Sequence, residues 1–290
     1  MLHCHRMERK ILFTSDLHGN RFQYKKLAEY AGQVSADSVI IGGDICPWRA
    51  ELQFCIKDQR RFLETDLPEL LEPAKASKIY LMMGNDDASA NMDVMYRLYE
   101  TIHARRIKLD DNFEIVGYSN VPITPFGIKD WEKYDLSDVP DNMLVNYQQN
   151  KQRYSLEGIK STKNGWVPFR FRPEVEKQDS LQNDFDNEWF TKNANKTLYV
   201  VHTPPFQTDL DVIFTKEHCG SIALRLFIEK YQPYLTLHGH IHETVSRTGR
   251  FQQKIGNTMC MCSGNHDKDN RLAVVVFDLY KPEEAKRIVL

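Results

Sequence analysis

The sequence predicts an α/β fold built on mixed sheets, and three observations carry that reading. In the first half, short apolar runs alternate with longer segments of helical period, the order β-α-β-α-β of a largely parallel sheet with helices on its faces. In the last quarter, apolar runs follow one another without helices between them, which suits a second, mainly antiparallel sheet. Strand after strand also ends in a cluster of glycine with Asp, Asn or His, where ligands gather beyond the carboxyl ends of parallel strands.

In chain order, residues 10–15 form a strand. A helix over 20–31, capped by Asn20, presents Phe22, Leu27 and Tyr30. Residues 38–41 are a strand, 51–71 are helical with an interruption near Pro68, 78–83 are a strand and 90–103 a helix. Short extended pieces follow at 112–118 and 120–125. Residues 127–196 are rich in Gln, Asn, Lys, Asp and Tyr with weak periodicity. They read as an insertion within one domain spanning 1–290 and as a candidate substrate-recognition segment, because loops this long are usually functional or disordered. Trp131, Trp166 and Trp189 argue for order there. A strand at 197–201 ends at His202, before Thr203, Pro204 and Pro205. Then come a helix at 221–230 and strands at 234–237, 245–246, 251–255, 259–262, 272–279 and 287–289.

With 290 residues the chain can bury a full core, and its formal net charge of −2 gives no global attraction for nucleic acid or anionic membrane. No apolar run is long enough to span a bilayer, and residues 1–10 are charged without a following apolar stretch, so a soluble, cytoplasmic protein is expected. Six cysteines scattered over a long chain suit reduced thiols. Cys260 and Cys262 read as alternate positions of a buried strand, and His3-Cys4-His5 as a solvated tail.

The candidate site begins at Asp16 and His18. In an extended segment residues i and i+2 face the same side, so the two can converge on one cation, with Gly19 turning the chain behind them. The second strand ends in Gly42-Gly43-Asp44 and the third in Gly84-Asn85-Asp86-Asp87. His202 closes a later strand, and Gly239-His240-Ile241-His242 follows His238. The inventory Asp16, His18, Asp44, Asn85, His202, His240 and His242 offers nitrogen and oxygen donors without thiolate, which suits Zn, Mn, Fe or a mixed pair. Seven donors are too many for one ion but fit two that share a carboxylate, and Asp44 is central in the order. Lys160, Lys163, Arg170 and Arg172, interleaved with Trp166, Phe169 and Phe171, could bind phosphate or a base. His238 reads as a supporting or packing residue.

In this order and spacing, Asp16-x-His18, Gly43-Asp44, Gly84-Asn85, His202 and Gly239-His240-x-His242 resemble the signature of the calcineurin-like metallophosphoesterases, across most of the chain. The resemblance implies a four-layer α/β/β/α sandwich with a dimetal centre at its crest. Asp16, His18, Asp44 and His242 would hold one metal, and Asp44, Asn85, His202 and His240 the other. It implies hydrolysis of phosphate esters by a hydroxide bridging two cations about 3.5–4 Å apart, with no protein nucleophile. Many members read Gly-Asn-His-Asp/Glu at the third block, where the His protonates the leaving group. Here Asp86 takes that place and Asp87 matches the acidic residue after it. Beside two cations a carboxyl group gives up its proton readily, so Asp86 is expected to be a poor general acid. Gly264-Asn265-His266-Asp267 spells the His-containing block out of order; it reads as a turn, with His266 a candidate replacement proton donor. The variant block is similar to that of small prokaryotic phosphoesterases and favours a small-molecule diester or nucleotide substrate. A phosphomonoesterase, a nuclease using the basic insertion, and a catalytically degenerate interaction module are the alternatives. The sequence leaves the metals, the substrate and the oligomeric state open.

Overall fold

A computed structural model describes residues 8–49, 51–75, 77–175, 178–265 and 270–290. The chain begins with β1 (Lys10–Thr14), α1 (Arg21–Gln33) and β2 (Ser38–Gly42). A long helical segment follows, α2 (Leu52–Arg61) and α3 (Leu67–Leu71) joined through a π-helical turn at Phe62–Asp66. Pro68 sits at the start of α3, where its missing N–H is tolerated. Next are β3 (Lys78–Met82), α4 (Met92–Leu98) and β4 (Glu100–Thr101). The helix expected to reach residue 103 therefore stops early: Tyr99 turns extended, and Glu100 and Thr101 pair with β3 as an edge strand.

β5 (Arg106–Lys108) and β6 (Glu114–Tyr118) lead to β7 (Val121–Pro122), which pairs with β8 (Glu132–Lys133). The described residues of the weakly periodic insertion form defined elements. They include α5 (Leu144–Lys151), the hairpin β9 (Glu157–Thr162) and β10 (Gly165–Arg170), and two short helices, α6 (Leu181–Phe185) and α7 (Glu188–Thr191). After it come β11 (Thr197–Val201), α8 (Ile222–Tyr231) and β12 (Leu235–His238). Residues 245–246, expected as strand, belong instead to α9 (Thr244–Thr248), closed by Gly249 at φ 73°. The chain ends with β13 (Gln252–Ile255), β14 (Thr258–Cys262), β15 (Ala273–Asp278) and β16 (Lys281–Val289).

Two six-stranded mixed sheets result, in the orders β16-β15-β1-β2-β3-β4 and β13-β14-β12-β11-β6-β5. The second sheet is not mainly antiparallel. Its four central strands are mutually parallel, and only β5 and β13 run against their neighbours. The last hairpin leaves it altogether, because β15 pairs antiparallel with β1 of the first sheet. A run of apolar segments marks strands without saying which edge they join.

Period-two alternation sorts the side chains into layers. Ile11, Phe13, Ile40, Tyr80 and Met82 of the first sheet meet Ile115, Leu198, Val200, Leu237 and Met261 of the second in a core between the sheets. The opposite face, with Leu12, Val39, Ile41 and Leu81, packs under Tyr24, Leu27, Leu63 and Leu67 of the helical layer. The outer face of the second sheet, with Val116, Tyr199 and Val201, packs under α6 and α8 through Phe185, Leu224 and Phe227. Cys260 and Cys262 lie on that face, buried, and burial pushes both thiols up to about 12, so they are packing groups. No helix among the described residues is long and apolar enough to cross a membrane.

Asp135 fastens the insertion to α8. It is buried, and its carboxylate accepts hydrogen bonds from Ser221 Oγ (2.5 Å), Ile222 N (2.7 Å) and Ala223 N (3.3 Å) at the helix N-terminus. Asp135→Ala is expected to lower stability to chemical denaturation by about 1–3 kcal/mol, since it strands buried donors. Burial lifts the Asp135 carboxyl from 3.8 to about 6 against the pull of those bonds. The folded chain thus binds this proton more tightly than the unfolded one. That contribution to stability is complete below pH 3.8 and lost as pH rises through about 6. The stability of the native chain relative to Asp135→Asn should therefore fall across that window in pH-dependent denaturation.

Candidate metal centre

The site forms where the exit loops of β1, β2, β3, β11 and β12 meet at the carboxyl edge of the two sheets. Beyond the regular ladder, Asp16 N donates to Gly43 O (3.0 Å), His18 N to Asp44 O (2.8 Å) and Gly19 N to Ile45 O (3.0 Å). The first two loops so run side by side and set Asp16 and His18 opposite Asp44. Neither Asp16 nor His18 is extended, contrary to the strand geometry expected from their spacing: φ is 59° and 42°. Asp44 (50°) and His240 (68°) share the left-handed region. Such backbone costs roughly 1–3 kcal/mol per residue and collects at functional sites.

Asp87 locks the third loop to the second. Fully buried, it accepts Ile45 N (3.0 Å), Cys46 N (2.8 Å) and Gly84 N (2.8 Å), while its own carbonyl accepts from Trp131 Nε1 (2.7 Å). Its carboxylate has no surface on the cleft, so its geometry is that of a loop fastener. Gly84 and Gly43 allow the close approach. A Cβ on Gly84 would strike the Asp44 carboxylate and the His202 ring, and one on Gly43 would lie 2.5 Å from His202 Nδ1.

These loops bring all seven expected donors together. Ligand atoms of Asp16, His18, Asp44 and His242 lie within 4.8 Å of one another. His18 Nε2 is 3.3 Å from His242 Nε2 and 3.7 Å from Asp44 Oδ2, and His242 Nε2 is 3.6 Å from Asp16 Oδ1. On the other side, His202 Nε2 is 3.2 Å from both Asp44 Oδ2 and Asn85 Oδ1, and His240 Nδ1 is 2.7 Å from Asn85 Oδ1. His202 Nδ1 lies 2.8 Å from Gly42 O. A carbonyl only accepts, so Nδ1 carries the proton and Nε2 is the atom aimed at the cluster. Nitrogen and oxygen donors convergent from two sides of one carboxylate, with no thiolate, fit a pair of borderline or hard cations.

The charges of this cluster compensate one another. Burial disfavours a charged His202, yet Asp44, its hydrogen bond to the ring and Asp16 outweigh this and raise it to about 10. Asp44 in turn is held well below the ordinary carboxylate range by His202 and His18, against burial. Burial and the positive His202 push His240 down to about 3. Asp86, one-third exposed, is raised to about 8 by burial and then by Asp44 and Asp87. Bound cations would act in the opposite sense on this carboxyl.

Asp86 also supports its neighbours. Its amide donates to Asp44 Oδ1 (2.9 Å), and its Oδ1 accepts from Asn85 Nδ2 (2.9 Å), which turns the Asn85 carbonyl oxygen to the cluster. Gln59, which the sequence does not single out, and Asn265, read there only as part of a turn, do similar work. Gln59 holds Asp86 O and Ala88 N (2.9 and 2.7 Å), and Asn265 Nδ2 reaches the carbonyls of Ser15 and Asp16 (both 3.3 Å). The out-of-order block thus returns beneath the Asp16 loop through Asn265, while His266 lies outside the described residues, as do residues 3–5. His238 is buried and satisfied by Val201 O, Thr203 O and Thr236 Oγ1, which tie β12 to the loop after β11.

The four basic residues of the insertion lie on or just beyond the β9–β10 hairpin, two of them in local contacts. Lys160 Nζ sits 3.9 Å from the centre of the Phe169 ring, Arg170 pairs with Glu157 across the hairpin (3.3 Å), Lys163 is at the hairpin turn and Arg172 is exposed beyond it. Trp166 Nε1 donates to Leu52 O (2.7 Å), which seats the hairpin on α2.

Comparison with known proteins gives this geometry a family. No curated protein sequence matches the chain. Among solved structures, TT1561 of Thermus thermophilus is 15% identical with a TM-score of 0.56, over 97% of this chain and 99% of its own. A dimetal phosphatase from Danio rerio is 11% identical (TM-score 0.49; 97% and 98% covered), and the calcineurin-like phosphoesterase YfkN from Bacillus subtilis 12% (0.45; 93% and 85%). The likeness to TT1561 is one of fold. The sequence pattern of the calcineurin-like phosphoesterases matches residues 9–244, and the chain belongs to that family of metal-dependent phosphoester hydrolases.

Proposed function

We propose that this enzyme hydrolyses phosphate esters at two cations, one held by Asp16, His18, Asp44 and His242 and the other by Asp44, Asn85, His202 and His240, and that its substrates are small phosphodiesters or nucleotides. The position of Asp44 carries this reading: one oxygen, Oδ2, lies 3.7 Å from His18 Nε2 and 3.2 Å from His202 Nε2, between the two donor sets. When bound, a cation pair supplies an acidified water and neutralises charge on the phosphoryl oxygens. The protein's share is to fix seven donors on loops that cannot relax. Asp87 pins the second loop to the third, and Asn265 supports the first from below. No side chain is needed as nucleophile. The leaving group is left without a histidine donor at the third block, where Asp86 stands.

Apo protein refilled with Mn, Zn or Fe is expected to take up two ions and to hydrolyse bis-p-nitrophenyl phosphate faster than p-nitrophenyl phosphate. Asp44→Asn should bind at most one ion tightly and lose about a thousandfold in rate, the equivalent of roughly 4 kcal/mol of transition-state stabilisation. Preference for the monoester would make the enzyme a phosphomonoesterase. Two bound ions with no turnover of either ester would favour an interaction module.

Aryl diesters should also be cleaved much faster than alkyl diesters, since a good leaving group departs without a proton; equal rates with chemistry limiting would count against a passive Asp86. Because Asp86 orients Asn85, Asp86→Ala should weaken uptake of one of the two ions by about 10–100-fold in a metal titration.

A further inference from the structure

A cavity of about 230 Å³ opens beside the ligand cluster, with His240 belonging to both. His240 Nδ1 faces Asn85 Oδ1 at 2.7 Å, and the same residue, with Ile241, forms one wall of the cavity. Phe126 forms the second wall, Arg153 and Tyr154 of the insertion the third, and Ile213 closes the fourth. An ester group on a phosphate held at the cluster thus has an adjoining compartment that is mostly apolar and partly aromatic.

Both flanking walls are built to hold still. The Phe126 segment is anchored by a fully buried ion pair: Lys129 Nζ meets Glu132 Oε2 at 2.8 Å and donates to Thr124 O (2.9 Å), while Thr124 N donates to Glu132 Oε2 (3.1 Å). Charges are buried this deeply only when paired and hydrogen-bonded, and breaking such a pair is costly. The Ile213 wall hangs on buried Asp211, which accepts Gln207 N (3.1 Å), Thr208 N (2.8 Å) and Gly220 N (3.0 Å). Arg153 is held as well: Nη2 pairs with Glu217 (2.8 Å), and Nη1 donates to His218 O (3.0 Å) and Asn150 Oδ1 (3.3 Å). With Nη1 and Nη2 engaged and its charge answered by Glu217, Arg153 is held in the cavity lining, and a guanidinium so fixed suits stacking on a ring.

We propose that this cavity seats the non-leaving organic group of a phosphodiester substrate and selects diesters in which that group carries one aromatic ring system. The inference rests on the phosphoesterase reading for its catalytic consequence, though not for binding. Size narrows the class: the volume lies below the roughly 300–1,000 Å³ of a site for drug-sized ligands, so one ring system fits and a polymer does not. Phe126, 60% exposed at the mouth, gains a role as a stacking wall.

The test holds the leaving group constant. Methyl, phenyl and 5′-thymidyl esters of p-nitrophenyl phosphate are compared on the metal-loaded enzyme. In parallel, binding of methylphosphonate, phenylphosphonate and thymidine 5′-phosphate is measured by calorimetry. An ester whose non-leaving group bears a ring should exceed the methyl ester in kcat/KM by about tenfold or more, the scale of one stacking contact. Phe126→Ala and Ile213→Trp should bring that ratio close to one, and Phe126→Tyr should restore it; circular dichroism and melting temperature verify folding. A phenyl preference assigns simple aryl esters and a thymidyl preference nucleotides, and either supports the cavity. A ratio near one in the native enzyme, or a ratio the variants leave unchanged, overturns it. If no ester is cleaved, the phosphoesterase reading fails, and the binding ratio of phenylphosphonate to methylphosphonate, with its loss in Ile213→Trp, still decides the cavity's role.

Discussion

Asp16, Asp44, Asp86 and Asp87 converge within a few residues of the strand ends, and three of them are buried. Left to themselves such carboxylates repel and would draw water. They stay because the backbone is tied before the side chains meet. The first loop hydrogen-bonds to the second at Asp16, His18 and Gly19, and Asp87 collects amides from the second and third. These bonds continue the parallel pairing of β1, β2 and β3 past the point where the ladder ends. The site is therefore an extension of the sheet, and its rigidity derives from the sheet's register.

Left-handed backbone at Asp16, His18, Asp44 and His240 follows from the same constraint. An extended loop would throw alternate side chains to opposite faces of the sheet. A single residue at positive φ redirects the chain so that successive donors fall on the same side. The strain persists because neighbouring bonds over-determine it, and Gly43 and Gly84 remove the side chains that would otherwise fill the space His202 and Asp44 occupy.

Much of this was legible in the sequence, for identifiable reasons. Strand and helix alternation in the first half is a local signal, and β1, α1, β2 and β3 fall where periodicity puts them. The seven donors announce themselves by residue type at strand ends. What the sequence does not carry is pairing. Nothing local says that β15 joins β1, or that Val245 and Ser246 wind into a helix before Gly249. The i, i+2 argument found Asp16 and His18 with the wrong backbone, because it assumed the strand continued. Supporting roles were hidden for a related reason: Gln59 is an ordinary polar side chain, and Asn265 one member of an apparent turn, until the fold buries them against the loops they fasten.

The insertion shows how a weak pattern can still encode a defined structure. Its helices are short and its hairpin is polar, so no window shows a strong period, yet Tyr147, Leu181, Phe185 and Phe190 all pack into the core under the second sheet. Order comes from anchors spaced far apart in sequence: Asp135 on the α8 terminus, Lys133 on Asp184 at 2.7 Å, and Asp130 on Ser161 N at 2.7 Å. Of the conspicuous basic residues, Lys160 and Arg170 make local contacts and Lys163 and Arg172 are exposed, whereas Arg153, unremarkable in the sequence, is braced against the loop at 217–219 and lines a cavity shared with His240. Residue type alone points to the charged cluster. The fold directs attention to the cation that is immobilised, since a fixed planar group beside the cleft can discriminate between ligands and a solvated lysine cannot.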